Sequence, residues 1–117
     1  MPGKHIIDHW WQTESGWPIC SPSVGLGIPG DNLGLKIGSS HRSVAGFDVR
    51  IMPSIGDDNN VGQDIKSVTA GEGNIVIKPP MPPGFMLGLW NADSRYIQSY
   101  FKTYPGYYDT GAYCSTS

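Results

Sequence analysis

The sequence predicts a mainly β fold, a distorted small β-barrel or sheet with one short helix near the C-terminus. Three observations lead to this prediction. Short β-branched runs alternate with turn residues, and only one segment has its apolar residues at helical spacing. The 117 residues also include 16 Gly and 10 Pro, which interrupt long helices. This length corresponds to one domain, so we expect residues 1–117 to form a single domain.

Strand predictions rest on apolar runs between turn residues. The candidates are Lys4–Asp8, Leu33–Ile37, Gly46–Met52 and Asn74–Lys78, with a polar turn at Asp57–Asn60. The third candidate alternates, with Phe47, Val49 and Ile51 on one face and Asp48 and Arg50 on the other. This alternation is typical of a half-buried strand. The fourth is the most strand-like run, and it ends at Pro79-Pro80 because proline cannot extend a ladder.

The helix prediction covers Asn91–Lys102. Asn91 can cap the N-terminus, and Asp93 places a negative charge in the first turn, where it suits the helix dipole. Apolar residues at helical spacing form one face: Tyr96, Ile97, Tyr100 and Phe101. Tyr104–Tyr108 then forms a turn that leads into a short strand.

Charge and composition exclude several functions. The net charge is −2, and 8 Lys and Arg are scattered against 10 Asp and Glu, so the basic stripe that nucleic-acid binding needs is missing. No apolar run approaches the ~20 residues of a membrane span. The first residues do not form a signal peptide, so we expect a cytoplasmic protein without nucleic-acid or membrane partners. Cys20 and Cys114 lie far apart, and their spacing leaves a disulfide open.

Two motif-like patterns are weak. Gly25–Gly30 matches G-x-G-x-x-G, but Pro29 lies inside the match and a second turn follows it instead of a helix. A dinucleotide loop is therefore not favoured. His5 and His9 are four residues apart on a predicted strand, where about 13 Å separates such positions. That distance is too long for one shared ion, so we expect no zinc site.

The most informative stretch is Asp8–Pro18, with the sequence DHWWQTESGWP. Adjacent tryptophans followed by an amide, a hydroxyl and a carboxylate suit a ligand pocket. In such a pocket an aromatic wall limits the shape of a small organic group, and Thr and Glu face phosphate and Mg²⁺. A rim of buried aromatics with a polar turn would have the same composition, so composition alone leaves both interpretations open.

Asp8–Pro18 resembles, almost residue for residue, the signature loop of the AMP-forming short-chain acyl-CoA synthetases. The resemblance continues through Gly38–Met52, Gly71–Trp90 and Tyr107–Gly111. His9, Trp17-Pro18 and the Pro-Pro-Gly…Trp segment look more like propionyl-CoA than acetyl-CoA synthetases. The resemblance implies the small β subdomain of a longer enzyme. That family uses ATP and Mg²⁺ to join propionate or acetate to coenzyme A through an acyl-adenylate.

The resemblance also implies roles for seven residues. Asp8, His9, Trp10, Gln12 and Thr13 would contact the nucleotide, Trp11 would close the acyl pocket and Glu14 would serve Mg²⁺. The family's Gly-rich phosphate loop and its catalytic lysine have no match in these 117 residues, and Ala112 stands where the family has a ribose-binding Asp. No complete catalytic set is present, so the isolated chain is expected not to catalyse.

An alternative function is a non-catalytic interaction module derived from the same fold. It would use Trp10, Trp11 and Trp17 to meet a protein partner. Exposed tryptophans and an unpaired strand edge at Ile6-Ile7 also favour self-association. We therefore expect a homodimer or a larger homo-oligomer.

Overall fold

The structure is a computed structural model that describes residues 6–23, 38–53 and 71–115. The chain divides into two compact units: the first contains Met1–Phe47 and Pro82–Met86, and the second contains Asp48–Met81 and Leu87–Ser117. Four sequence predictions lie outside the described residues: the strand Leu33–Ile37, the turn Asp57–Asn60, the Gly25–Gly30 pattern and His5.

The second unit contains the sheet. Its strands are β1 (Asp48–Met52), β2 (Glu72–Lys78) and β3 (Tyr108–Ser115), antiparallel and in the order β1-β2-β3. In the β1–β2 register Val49 lies opposite Ile77, and the β2–β3 pairing has an irregularity between Asn74 and Val76. The mainly β prediction is confirmed. Over the described residues the sheet is open and does not close into a barrel.

The central strand β2 is buried on both faces. Val76 and Ile77 are both fully buried, and successive residues of a strand point to opposite faces. On the side of Val76, Met52 and Tyr104 complete a core cluster. Met52 belongs to the face of β1 that the alternation assigned to polar residues, and it is 3% exposed. The alternation predicted one buried face because a single strand does not reveal that its sheet is covered on both sides.

The helix is α1 (Asp93–Tyr100), shorter at both ends than predicted. Asp93 lies in its first turn as expected, but the capping prediction for Asn91 is wrong. The residue at the cap is Ala92, without a side-chain hydrogen bond, and Asn91 has a left-handed φ of +49° one residue earlier. Among the described residues, no helix is long and apolar enough to cross a membrane.

Aromatic rings connect α1 to the sheet. Tyr100 stacks on Tyr108 of β3 with ring centroids 5.0 Å apart and planes 9° apart, and Tyr96 lies 5.6 Å from Phe101. Ile97 was predicted on the same apolar face, but it is 54% exposed. The packed stripe is therefore narrower than the spacing suggested, and it consists of rings.

The first unit consists mainly of loops around a small apolar core. Ile19, Phe47 and Phe85 are buried there. Its regular structure in the described residues is a one-turn 3₁₀ helix at Thr13–Ser15 and two isolated β-bridges. Ile6–Asp8, the described part of the predicted strand Lys4–Asp8, forms no strand. A strand needs a partner to satisfy its backbone groups, and Ile6 is 92% exposed.

Candidate functional site

The loop Asp8–Pro18 is closed at its base by backbone hydrogen bonds. Trp10 N–H donates to Cys20 O at 2.9 Å, and Ile19 N–H donates to Trp10 O at 2.8 Å. Cys20 also forms a bridge with Ser43, so three chain segments meet at this base. The two ends of the loop are therefore fixed close together.

The 3₁₀ turn Thr13–Ser15 lies at the centre of the loop, and Gln12 precedes it. Ser15 N–H donates to Gln12 O at 3.1 Å, which closes the turn. Gly16 ends it with a left-handed φ of +71°, a conformation that glycine adopts without steric cost. The sequence Thr-Glu-Ser-Gly thus forms a turn because its last residue permits the exit geometry.

A segment far downstream in sequence, Pro82–Met86, supports this turn. Met86 N–H donates to Glu14 O at 2.8 Å. A Cβ built on Gly16 would lie 2.9 Å from Gly84 O, closer than side chains tolerate, so the two backbones approach through glycine. The ring of Phe85 lies 6.3 Å from Phe47. The turn therefore has a firm backing within the first unit.

All seven side chains with an implied ligand role lie on this loop. Asp8, His9, Trp11 and Thr13 are exposed, and Trp10, Gln12 and Glu14 are half-buried. Asp8 Oδ2 accepts a hydrogen bond from Gly38 N–H at 3.0 Å. The structure therefore places Thr13 and Glu14 side by side on the supported turn, whereas Asp8 ties the beginning of the loop to residue 38.

Known proteins match this chain over most of its length. Human acyl-CoA synthetase short-chain family member 3, a mitochondrial protein, is 43% identical over 105 residues, or 90% of this chain. An uncharacterised protein of Pseudomonas aeruginosa is 40% identical over 109 residues, or 93% of the chain. This chain is a homologue of one segment of the short-chain acyl-CoA synthetases. The propionate–CoA ligase of Escherichia coli also matches, at 30% identity over 100 residues, or 85% of the chain.

The chain spans about one seventh of the acyl-CoA synthetases that it matches. The matched part is 14% of the human protein, 15% of the Pseudomonas protein and 14% of the Escherichia coli ligase. A comparison with protein-family models finds no match.

The turn carries one hydroxyl and one carboxylate among the residues with an implied ligand role, Thr13 and Glu14. In the described part of the chain, no three His, Cys, Asp or Glu side chains come together as a metal site. Mg²⁺ usually keeps several waters and is held by one or two carboxylates together with substrate phosphates. Glu14 is the acidic residue of the turn, so it is the residue that would hold a Mg²⁺ ion if a nucleotide brought one.

The end of the acyl-CoA synthetase resemblance falls on an irregular part of β3. Asp109 Oδ1 accepts a hydrogen bond from Gly111 N–H at 2.9 Å, and Thr110 Oγ1 donates to Ile75 O at 2.6 Å. Gly111 has a left-handed φ of +67°. Ala112, where the family has its ribose-binding carboxylate, offers no polar side chain, and the carboxylate of Asp109 is engaged by the backbone. This stretch therefore offers no side-chain carboxylate at residue 112, where the resemblance implies a ribose contact.

Both cysteines are free thiols and partly buried. Burial raises the pKa of the Cys114 thiol above its ordinary value. The thiol therefore stays protonated at neutral pH, which makes Cys114 a poor nucleophile.

Sequence reasoning missed the residues that hold the loop. Ser15 and Gly16 fix the turn from within and at its exit, and Pro82–Met86 supports it from outside. Gly16 carried a detectable signal, since a glycine directly after a polar run indicates a turn exit. The role of Pro82–Met86 carried none, because the contacts bridge about 70 residues of sequence.

Proposed function

We propose that this chain is the nucleotide- and acyl-contacting segment of an AMP-forming short-chain carboxylate–CoA ligase. Propionate or acetate would be the acid, with ATP, Mg²⁺ and coenzyme A as the other participants. The observation that carries the proposal is the 43% identity to an acyl-CoA synthetase over 90% of the chain. We also propose that residues 1–117 form a single domain, which corresponds to the small β subdomain of such a ligase.

The loop supplies the contacts in this proposal. Thr13 contacts the α-phosphate and Glu14 serves Mg²⁺, two roles that position a phosphate and neutralise its charge. Trp11 closes the acyl pocket, and its 52% exposure leaves a large flat surface for a short acid to meet. The remaining loop residues (Asp8, His9, Trp10 and Gln12) line the adenine and acyl side.

Calorimetry on the 117-residue chain tests the nucleotide contacts. We expect weak binding of Mg-ATP that weakens further in Thr13→Val and in Glu14→Gln. Matched controls are Thr103→Val and Glu72→Gln, which remove the same groups from exposed positions of the second unit. Equal affinity in the loop variants and the controls would contradict the assignment of Thr13 and Glu14.

The isolated chain is expected not to catalyse. Adenylation needs a phosphate loop, a ribose carboxylate and a lysine together with this loop, and such groups act as a unit. The measurement is propionate-dependent exchange of pyrophosphate into ATP. Exchange above a blank without protein would overturn the expectation.

The size of the acid tests the role of Trp11. In an intact relative that carries the equivalent tryptophan, replacement by glycine should admit longer acids, because a large flat side chain shortens the pocket. An unchanged preference for short acids would show that this tryptophan only packs.

The exposed tryptophans support a second candidate, the non-catalytic interaction module. Trp11 and Trp17 are 52% and 39% exposed, and Ile6 is 92% exposed. The same surfaces support the predicted homo-oligomer, which light scattering at high concentration tests; a clean monomer would refute it. The absence of nucleotide binding in calorimetry would favour the module. A cytoplasmic location stays a prediction, and the human relative is named as mitochondrial.

A further inference from the structure

Ser15 is a fully buried polar residue at the centre of an otherwise accessible loop. Its exposed fraction is 0%, whereas Thr13 and Gly16 on either side of the turn are exposed. A buried hydroxyl without hydrogen bonds destabilises the folded state, so the contacts of the Ser15 hydroxyl explain its position.

The hydroxyl of Ser15 bonds to the backbone on both sides of the turn. Ser15 Oγ accepts a hydrogen bond from Gln12 N–H at 3.1 Å. It lies 2.7 Å from Gln12 O and 2.8 Å from Trp17 O, and its single proton can be donated to either carbonyl. One oxygen thus joins the residue before the turn to the residue after the left-handed Gly16.

From this geometry we infer that Ser15 is a positioning residue: its hydroxyl fixes the backbone turn on which Thr13 and Glu14 meet the nucleotide. The inference rests on the proposed function for its ligand, but the holding of the turn rests on contacts within the protein. Ser15 itself is buried and does not reach solvent, so it acts through its two neighbours in the turn.

The contact between Glu14 O and Met86 N–H reports the state of the turn. Their separation is 2.8 Å, and opening of the turn would move Glu14 O away from this donor. The Met86 amide therefore exchanges with solvent when the turn opens. Val44 N–H, which donates to Ile19 O at 2.8 Å within the first unit, reports unfolding of that unit as a whole.

The test compares Ser15→Ala with Ser15→Thr and with Ser99→Ala, which removes a hydroxyl from an exposed position on α1. Amide exchange of the full 117-residue chain is measured by NMR as the ratio of the Met86 rate to the Val44 rate. We expect Ser15→Ala to raise this ratio about tenfold, the equivalent of one buried hydrogen bond. Ser15→Thr, which keeps the hydroxyl, should restore most of the protection, and Ser99→Ala should leave the ratio unchanged.

The second measurement is the affinity for Mg-ATP by calorimetry. Ser15→Ala should weaken it about tenfold if the turn must be closed to bind, with recovery in Ser15→Thr. An unchanged exchange ratio in Ser15→Ala overturns the inference whatever the nucleotide does. A raised ratio with unchanged affinity also overturns it, because the turn would then not position the ligand contacts. If the wild-type chain binds no Mg-ATP, the proposed function fails together with the positioning of a nucleotide, and the exchange ratio separately decides whether Ser15 holds the turn.

Discussion

Gly73→Ala should destabilise the chain strongly, whereas the same change at Gly88 should be harmless. Gly73 lies buried in β2, and a Cβ there would collide with Met52 O and lie 2.9 Å from Cγ2 of Ile51. The first atom belongs to the backbone of β1, which cannot move away without disturbing its pairing with β2. The methyl group therefore has no space unless the strands separate.

The expected loss follows from two opposing contributions. Overpacking of a tight site costs about 3 kcal/mol at the upper end of its usual range, and the smaller entropy of the unfolded alanine chain returns roughly 0.4–1 kcal/mol. The net loss is about 2 kcal/mol, which for a chain of this length lowers Tm by about 8 °C.

Urea unfolding with linear extrapolation measures the loss, and Gly88→Ala is the matched control. The nearest atom to a Cβ at Gly88 is Asp93 Oδ1 at 4.0 Å, so this variant should be as stable as the wild type or slightly more stable. If the free energies of unfolding of the two variants differ by less than about 0.5 kcal/mol, the steric reasoning is wrong.

Two further predictions concern hydrogen bonds and charge in the second unit. Tyr104→Phe should lower the free energy of unfolding by about 1–2 kcal/mol, because the buried hydroxyl accepts from Asn74 Nδ2 at 2.6 Å and donates to Pro53 O at 3.2 Å; Tyr113→Phe, at a 57% exposed position, is the control and should change little. The guanidinium of Arg50 donates a hydrogen bond to Asp48 Oδ1 at 2.9 Å, and this bond holds the pKa of Asp48 below its ordinary value. The folded pKa is the lower one, so the stability from this pair is present above about pH 4 and lost as the pH falls through the folded pKa. Asp48→Asn should accordingly lower the urea midpoint slightly near pH 6, and its difference from the wild type should shrink as the pH falls through the folded pKa; a loss that stays the same as the pH falls would contradict an electrostatic cause.

The strands were predictable where local pattern and tertiary pairing agree. The β-branched run Asn74–Lys78 was found, but β2 begins at Glu72 because Glu72 pairs with Ser115 of β3, a residue 43 positions away. The end of β2 at Lys78 was predictable because the following prolines lack the N–H that a ladder needs. The first residue of β2 thus depends on pairing with a distant strand, whereas its last residue is determined by the prolines that follow it.

At the N-terminus of α1 the local sequence was misleading, because it predicted the wrong capping residue. Asn91 has the chemistry of a capping residue, yet its left-handed φ of +49° places it one residue before the cap. Asn tolerates that conformation better than most residues, so the same side chain suits both a cap and a left-handed turn. Residue type alone could not distinguish a capping Asn91 from an Asn91 in a left-handed turn. In the structure Asn91 adopts the left-handed conformation and Ala92 is the N-cap.

The sequence motif was enough to predict the candidate site. The backbone contacts that support the site could not be predicted from the sequence. Thr13 and Glu14 belong to a pattern that marks them by residue type. Their support consists of backbone atoms that meet across sequence: Met86 N–H on Glu14 O, and the backbone of Gly16 against Gly84 O. A main-chain contact leaves almost no trace in residue identity except where a side chain must be absent.

Glycine is required at two positions of this supporting contact, Gly16 and Gly84, for different reasons: lack of space for a Cβ or a left-handed backbone conformation. Gly16 needs both, since its φ is +71° and a Cβ would lie 2.9 Å from Gly84 O. Gly84 has a φ of +90° with no atom within 4 Å of a Cβ, so only its conformation requires glycine. The rings of Trp17, Phe47 and Phe85 are 5.6 Å and 6.3 Å apart and supply the apolar mass beside this approach. The loop thus combines a bulky aromatic core with a backbone contact that a single methyl group at Gly16 would break.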